Sequence, residues 1–317
     1  MKNKRKAIIF GVKGYKLSVE EKFFFKKNKP WGIILFSRNI KNILQLKNLV
    51  SEIKNVVKEK KYPIIIDQEG GKVSRLNQII DLSIFSQSYF FDLYKKNKKN
   101  FLNQYKIYIN AVSSILNYVG ININTVPVLD IRRKKTHNFI GSRSFSEKAS
   151  NVKVLGNLCI KFYMDNKIAT VSKHIPGHGL SRCDSHYKTP VITASKRTLI
   201  KNDFKPFKAC KSTFAMTGHA IYEAFDKKNT ATHSKIMINK VIRKYMNFDG
   251  ILISDDIAMK SLNYSLNENA LKALQAGCNL VLHCNGNIRE MYKLAKVIPN
   301  IDNFTEKKTS DFYNFLG

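Results

Sequence analysis

The sequence predicts a single (β/α)8 TIM-type barrel occupying residues 1–317 as one domain, and three observations carry that expectation. Short apolar runs recur along the chain with the continuous hydrophobicity of strands buried on both faces. Segments of helical periodicity separate them. Polar and glycine-rich clusters follow the C-terminal ends of the runs, which is where barrel enzymes keep their active sites.

The runs, in order, are KAIIFG (6–11), WGIILF (31–36), YPIIID (62–67), ININTVPVLD (121–130), KIATVSK (167–173), STFAMTG (212–218), DGILISD (249–255) and NLVLHC (279–284). Between the second and third, Ile43, Leu46, Leu49, Val50, Ile53 and Val57 share one helical face; Ala270, Leu271, Leu274 and Ala276 do so before the eighth. The longest connection, Gly70 to Gly120, is read as a loop plus one long helix, and the polar tail from Asn300 to Gly317 as a last short element. Eight strands alternating with helices favour a closed barrel over an open doubly wound sheet, and no GxGxxG follows the first strand to support the latter. A barrel takes ~250 residues, so no second domain is required.

Composition narrows the class. A hydrophobic content of 44% is ample for a buried core. The balance of 55 Lys+Arg against 23 Asp+Glu gives a formal charge of +32. A polyanion partner would use such charge. The cations are scattered, however, in a chain also rich in Asn, Ile, Phe and Tyr, as codon bias dictates; no nucleic-acid partner is expected. The five cysteines form no CxxC pair, and an odd number suits a reducing compartment. MKNKRK is followed by an apolar run too short for a signal peptide. No stretch reaches the ~18 apolar residues of a membrane span. The expectation is a cytoplasmic monomer without a membrane partner.

Chemistry concentrates in KHIPGHGLSRCDSHYKTP, Lys173 to Pro190. A metal site from His174, His178, Cys183 and His186 is one reading, but the spacing fits no compact zinc pattern. The other is acid–base work. Asp184 and His186 stand two apart, so an extended loop points both the same way, and a carboxylate keeps a proton on an adjacent imidazole near neutrality. His178 and Cys183 read as ordinary surface-loop residues, and Gly177 and Gly179 as mobile joints. Asp255 and Asp256 follow the seventh run. Adjacent acids on a strand point apart, so one is expected to face a substrate: Asp255 as nucleophile, with Asp256 an N-cap or structural hydrogen-bond acceptor.

These segments resemble the NagZ-type β-N-acetylglucosaminidases of glycoside hydrolase family 3. The resemblance rests on GIILFSRN, DQEGGKVSRL, VPVLD, IGSRSF, KHIPGHG, DSHYKTP, MTGHAIY, FDGILISDDIAM and ALKALQAGCNLVLHCN, in the family's order from about Trp31 to Asn285. It implies a retaining mechanism with no metal and no cofactor. Asp255 would be the nucleophile and His186 the general acid/base, oriented by Asp184. Asp67, Arg75, Arg143, Lys173 and His174 would bind N-acetylglucosamine. The substrate implied is N-acetylglucosamine linked to 1,6-anhydro-N-acetylmuramic acid, with or without peptide, in cell-wall recycling. Ser142 stands where the family usually has an acid, and Lys72 where it often has Arg. A β-glucosidase or a phosphorylase of the same family is the enzymatic alternative; a basic nucleic-acid-binding protein is the non-enzymatic one. The basic stretch Arg132 to Lys135 is read as a possible attractor of an acidic aglycone, with codon bias as its plainer explanation.

Overall fold

A computed structural model describes residues 5–133, 139–185 and 187–317. Eight parallel strands close into a barrel in sequential order: β1 (Lys6–Gly11), β2 (Pro30–Leu35), β3 (Ile64–Ile66), β4 (Ile123–Asn124), β5 (Ala169–Ile175), β6 (Phe214–Thr217), β7 (Ile251–Asp256) and β8 (Leu280–His283). Each coincides with one of the apolar runs, and β1 pairs with both β2 and β8 to complete the ring. Ile, Val, Leu and Ala fill these strands because both faces are covered, the inner by opposing strands and the outer by helices.

Both segments of helical periodicity named above are helices. Asn42 caps the helix Ile43–Val57, its side chain accepting from the Gln45 N–H, and the apolar stripe Leu46, Leu49, Val50 and Ile53 is buried. Ser265 and Glu268 form a capping box for Leu266–Ala276. The connection from Gly70 to Gly120 differs from the single helix expected: it holds two, Gln87–Lys96 and Lys98–Val119. Asn97 divides them. It adopts an extended conformation and accepts from the Asn100 N–H at 3.0 Å, so it ends one helix by starting the next. A three-stranded sheet of Val191–Ile192, Ile221–Tyr222 and Asp226–Thr230 was not signalled by any long apolar run.

The tail is the floor of the barrel. Asn303–Leu316 is a helix that sets Phe312 edge-to-face against Phe214 with ring centroids 5.5 Å apart, while the indole N–H of Trp31 donates to Thr309 Oγ1 at 2.8 Å. Trp31 and Phe214 start their strands, so the aromatic seal closes the N-terminal end and leaves the C-terminal end as the accessible mouth. At that mouth, Gly11 ends β1 with the Cys284 carbonyl oxygen 2.1 Å from where a Cβ would sit. Backbone on both sides cannot yield cheaply. Gly11→Ala is therefore expected to cost about 1–3 kcal/mol, read as a thermal midpoint lowered by a few degrees; an unchanged midpoint would show the mouth to be looser than described.

Candidate active site

The strand ends converge on a cavity of about 190 Å3 at the C-terminal mouth. That is smaller than the ~300–1,000 Å3 of drug-sized sites and suits one small polar ring. Asp67, Arg75, Arg143, Lys173, His174, Asp255 and Asp256 all line it, with Phe36, Phe139, Met216, Met259 and Leu282 as its apolar walls. The five expected sugar-binding residues and the expected nucleophile are thus brought together from β3, β5, β7 and the loops beyond β3 and β4.

Charge inside the cavity is organised as a ladder. The Arg75 guanidinium donates to Asp67 Oδ2 at 2.7 Å, and Thr125 Oγ1 donates to Asp67 Oδ1 at 2.5 Å. The Lys173 ammonium, almost wholly buried, bridges Asp67 and Glu69. Arg143 completes the ladder with two bonds of 2.8 Å to the two Glu69 oxygens. Burial alone would push both carboxyls up. Lys173 and Arg75 outweigh it at Asp67, and Arg143 and Lys173 outweigh it at Glu69, so both acids are held below the usual carboxylate range. Glu69 was not among the expected site residues, although it lies inside the DQEGG segment. Its side chain is 2% exposed, and it orders two of the five binding candidates. Arg143 keeps its place despite Ser142, because Glu69 takes its guanidinium and the Gln87 amide holds its backbone carbonyl at 2.6 Å.

Two local departures from regular pairing aim adjacent side chains into the same space. Along β5, Lys173 pairs with Met216 and Ile175 with Thr217, so the extra residue, His174, bulges and both Lys173 and His174 reach the cavity. Along β7, Ile253 pairs with Leu280 and Asp256 with Leu282. The same irregularity corrects the expectation that one of the two acids faces the substrate: Asp255 and Asp256 both line the cavity. Asp256 does act as the structural acceptor foreseen, Oδ1 taking the N–H groups of Ala258 at 3.1 Å and Cys284 at 3.4 Å. Burial pushes its carboxyl up, and the Asp255 charge adds to the effect. Asp255 Oδ1 accepts the Asp256 N–H at 2.8 Å.

The long loop after β5 differs from expectation at three points. His178 is no surface residue: it is 1% exposed, its N–H donates to Asp130 Oδ1 at 2.6 Å, and Ser181 Oγ pairs with Nδ1. Burial pushes its imidazole down to about 4. Gly177 and Gly179 are not free joints. A Cβ on Gly177 would meet the Asp203 carbonyl oxygen at 2.4 Å, and one on Gly179 the Ile131 carbonyl oxygen at 2.2 Å, so they are small because backbone packs against them. Farther along, Ser185 lines the cavity, the Asp184 backbone carbonyl accepts the N–H groups of Tyr187 and Lys188 at 3.1 Å, and Cys183 is partly exposed as foreseen. His186 lies outside the described residues.

The metal reading finds no support in the donors that can be placed. His174 Nδ1 is committed to Asp130 at 2.6 Å and His178 Nδ1 to Ser181, and among the described residues no group of three His, Cys, Asp or Glu side chains could hold an ion. The basic stretch is likewise spent internally where it can be seen. Arg133 pairs with Asp203 at 2.9 Å and Arg132 reaches Ser88 at 3.1 Å and Glu147 at 3.9 Å. Lys134 and Lys135 lie outside the described residues.

Because Glu69 is depressed in the folded state, its contribution to stability is present above its unfolded value of ~4.3 and is lost as pH falls through the folded one. Wild type should therefore exceed Glu69→Gln in thermal midpoint at pH 7, with the gap narrowing below about pH 4. A gap that stays constant down to acid unfolding would remove this account of the ladder.

The chain matches the family model described as the glycosyl hydrolase family 3 N terminal domain over residues 6–311. A beta-hexosaminidase of Glaesserella parasuis is 31% identical over 287 residues, covering 88% of this chain and 80% of that protein. A beta-hexosaminidase of Haemophilus influenzae is 32% identical over 285 residues, covering 88% and 79%. Among solved structures, NagZ from Neisseria gonorrhoeae in complex with N-trifluoroacetyl-D-glucosamine superposes with a TM-score of 0.87 at 27% identity, covering 99% of this chain and 90% of that one.

Proposed function

The chain belongs to glycosyl hydrolase family 3, and from that premise we propose that it is an exo-acting, retaining β-N-acetylglucosaminidase. One observation carries the reading: Asp255 shares a cavity sized for one ring with Asp67, Arg75, Arg143, Lys173 and His174. Cations and carboxylates that are already paired make strong, directional partners for sugar hydroxyls and for an amide. The relatives named beta-hexosaminidase, and a neighbour holding an N-acylated glucosamine, point to the N-acetyl sugar as the unit bound. A cavity of about 190 Å3 also favours removal of a terminal residue over binding within a polymer.

In the reaction proposed, an Asp255 carboxylate oxygen attacks the anomeric carbon as the bond to the leaving oxygen breaks, and His186 gives its proton to that oxygen. Water then gives a proton back to His186 and displaces Asp255, so two inversions retain configuration. This uses one carboxylate and one imidazole where most glycosidases use two carboxylates. Asp184, two residues before His186, would orient the ring. The substrate proposed is N-acetylglucosamine linked to 1,6-anhydro-N-acetylmuramic acid, with or without stem peptide, and the setting proposed is cell-wall recycling in the cytoplasm. No helix among the described residues is long and apolar enough to cross a membrane.

The enzyme should release chromophore from an aryl N-acetyl-β-glucosaminide far faster than from the aryl β-glucoside; the reverse preference would overturn the assignment. Asp255→Ala should abolish turnover, and a fluorinated N-acetylglucosaminyl donor should label Asp255 covalently; a label on Asp256 would reassign the nucleophile. His186→Ala should lose on the order of 10²–10⁴-fold on poor leaving groups but much less on excellent ones. Equal losses would argue against an acid role. Product analysis in phosphate buffer separates hydrolysis from phosphorolysis.

A further inference from the structure

Asp130 is wholly buried at the end of the fourth apolar run and spends its carboxylate on one short segment. Oδ2 accepts from His174 Nδ1 at 2.6 Å and from the His174 N–H at 3.2 Å, while Oδ1 accepts from the His178 N–H at 2.6 Å. Both ends of the turn from His174 to His178 are therefore fixed to one side chain. The backbone brings them together: the Leu129 N–H donates to the Lys173 carbonyl at 2.7 Å, and the Lys173 N–H to the Pro127 carbonyl at 3.1 Å. We propose that Asp130 is a positioning residue for the sugar site, acting through His174 by holding the proton on Nδ1 and presenting Nε2 to the cavity.

The chemistry follows from what a carboxylate can do. Burial pushes Asp130 up, but His174 and then His178 outweigh it and hold the acid ionised. An ionised carboxylate only accepts hydrogen bonds, so the nitrogen 2.6 Å away must carry the proton. The same bond fixes the ring plane, leaving Nε2 as the nitrogen available to a sugar hydroxyl in a ring that lines the cavity. The His174→His178 turn is the root of the loop that carries Asp184, so the same carboxylate also sets where that loop leaves the barrel. Nothing in the sequence pattern marks Asp130 apart from other strand-end acids. Its role is visible only because three donors converge on it.

The inference rests on the cavity being a sugar site, and the test separates the two. In ¹⁵N-histidine-labelled enzyme, with His174→Gln used to assign the resonances, wild type should show His174 protonated at Nδ1. Asp130→Asn, which must turn an NH2 towards one of the three donors, should show mixed tautomers. Calorimetric Kd for N-acetylglucosamine should rise roughly 3- to 10-fold in Asp130→Asn, the range of one lost neutral hydrogen bond. In a His174→Ala background the same change should alter Kd by no more than about 2-fold, because the effect passes through the imidazole. An unprotonated Nδ1 in wild type, an unaltered pattern in Asp130→Asn, or a full loss persisting without His174 would each overturn the proposal. Should Asp130→Asn fail to fold, the wild-type tautomer still decides it. A wild type that binds no N-acetylglucosamine would sink the functional reading, while the tautomer would continue to report on Asp130.

Discussion

The site depends on one arrangement: the Lys173 ammonium held between Asp67 and Glu69, with Arg75 and Arg143 closing the two ends. Burying an ammonium this deeply removes the water that would otherwise solvate it. Here two carboxylates replace the water, and each of those acids is in turn satisfied by an arginine. The ladder is thus self-consistent only when complete, since removing one rung leaves an uncompensated buried charge at a cost of roughly 3–5 kcal/mol. Such a ladder is a weak way to gain stability and a good way to fix geometry. It holds Asp67, Arg75, Arg143 and Lys173 at set positions in the cavity, so little ordering of these groups would remain to be done on binding a ligand.

Geometry of this kind needs a frame that does not yield, and the barrel supplies it. Strand ends placed in a ring bring Asp67 from β3, Lys173 from β5 and Asp255 from β7 to one mouth, although they are far apart in the chain. The bulges on β5 and β7 do what a regular strand cannot, turning consecutive residues to one side. Glycines then allow the loops to close around the result: Gly11 lies against Cys284, and Gly177 and Gly179 lie against Asp203 and Ile131. The aromatic floor of Trp31, Phe214 and Phe312 at the other end keeps the mouth as the one polar end of a well-sealed cylinder.

Much of this was legible in the sequence. Strand positions were readable because buried parallel strands are continuously apolar, and the site's place was readable because polar clusters follow them in phase. What escaped detection shares a physical cause. The division at Asn97 is a capping event worth little in periodicity. The pairing irregularities at His174 and Asp255 are properties of two strands together, which no single run displays. His178 looked like loop and proved to be core, because its burial comes from Phe139 and Ser181 packing on it rather than from apolar neighbours in sequence. Glu69 and Asp130 were seen as strand-end acids, but their importance lies in the number of donors that converge on each.

The surplus of positive charge looks different once partners are assigned. Within the cavity the cations are matched: Arg75 by Asp67, Arg143 by Glu69, and Lys173 by both. At the rim, Arg133 is matched by Asp203, whose carboxyl burial pushes up to about 6 against the opposing pull of Arg133. Asp67, Glu69, Asp130, Asp203, Asp255 and Asp256 stand at or beside the site, while the other acids are spread along the chain among many more lysines. Such a distribution gives an anionic ligand a long-range pull towards the molecule without a specific anion subsite at the centre of the cavity. For the sugar ligand proposed, recognition would fall to paired charges of fixed direction, with the net charge affecting how a ligand arrives more than where it binds.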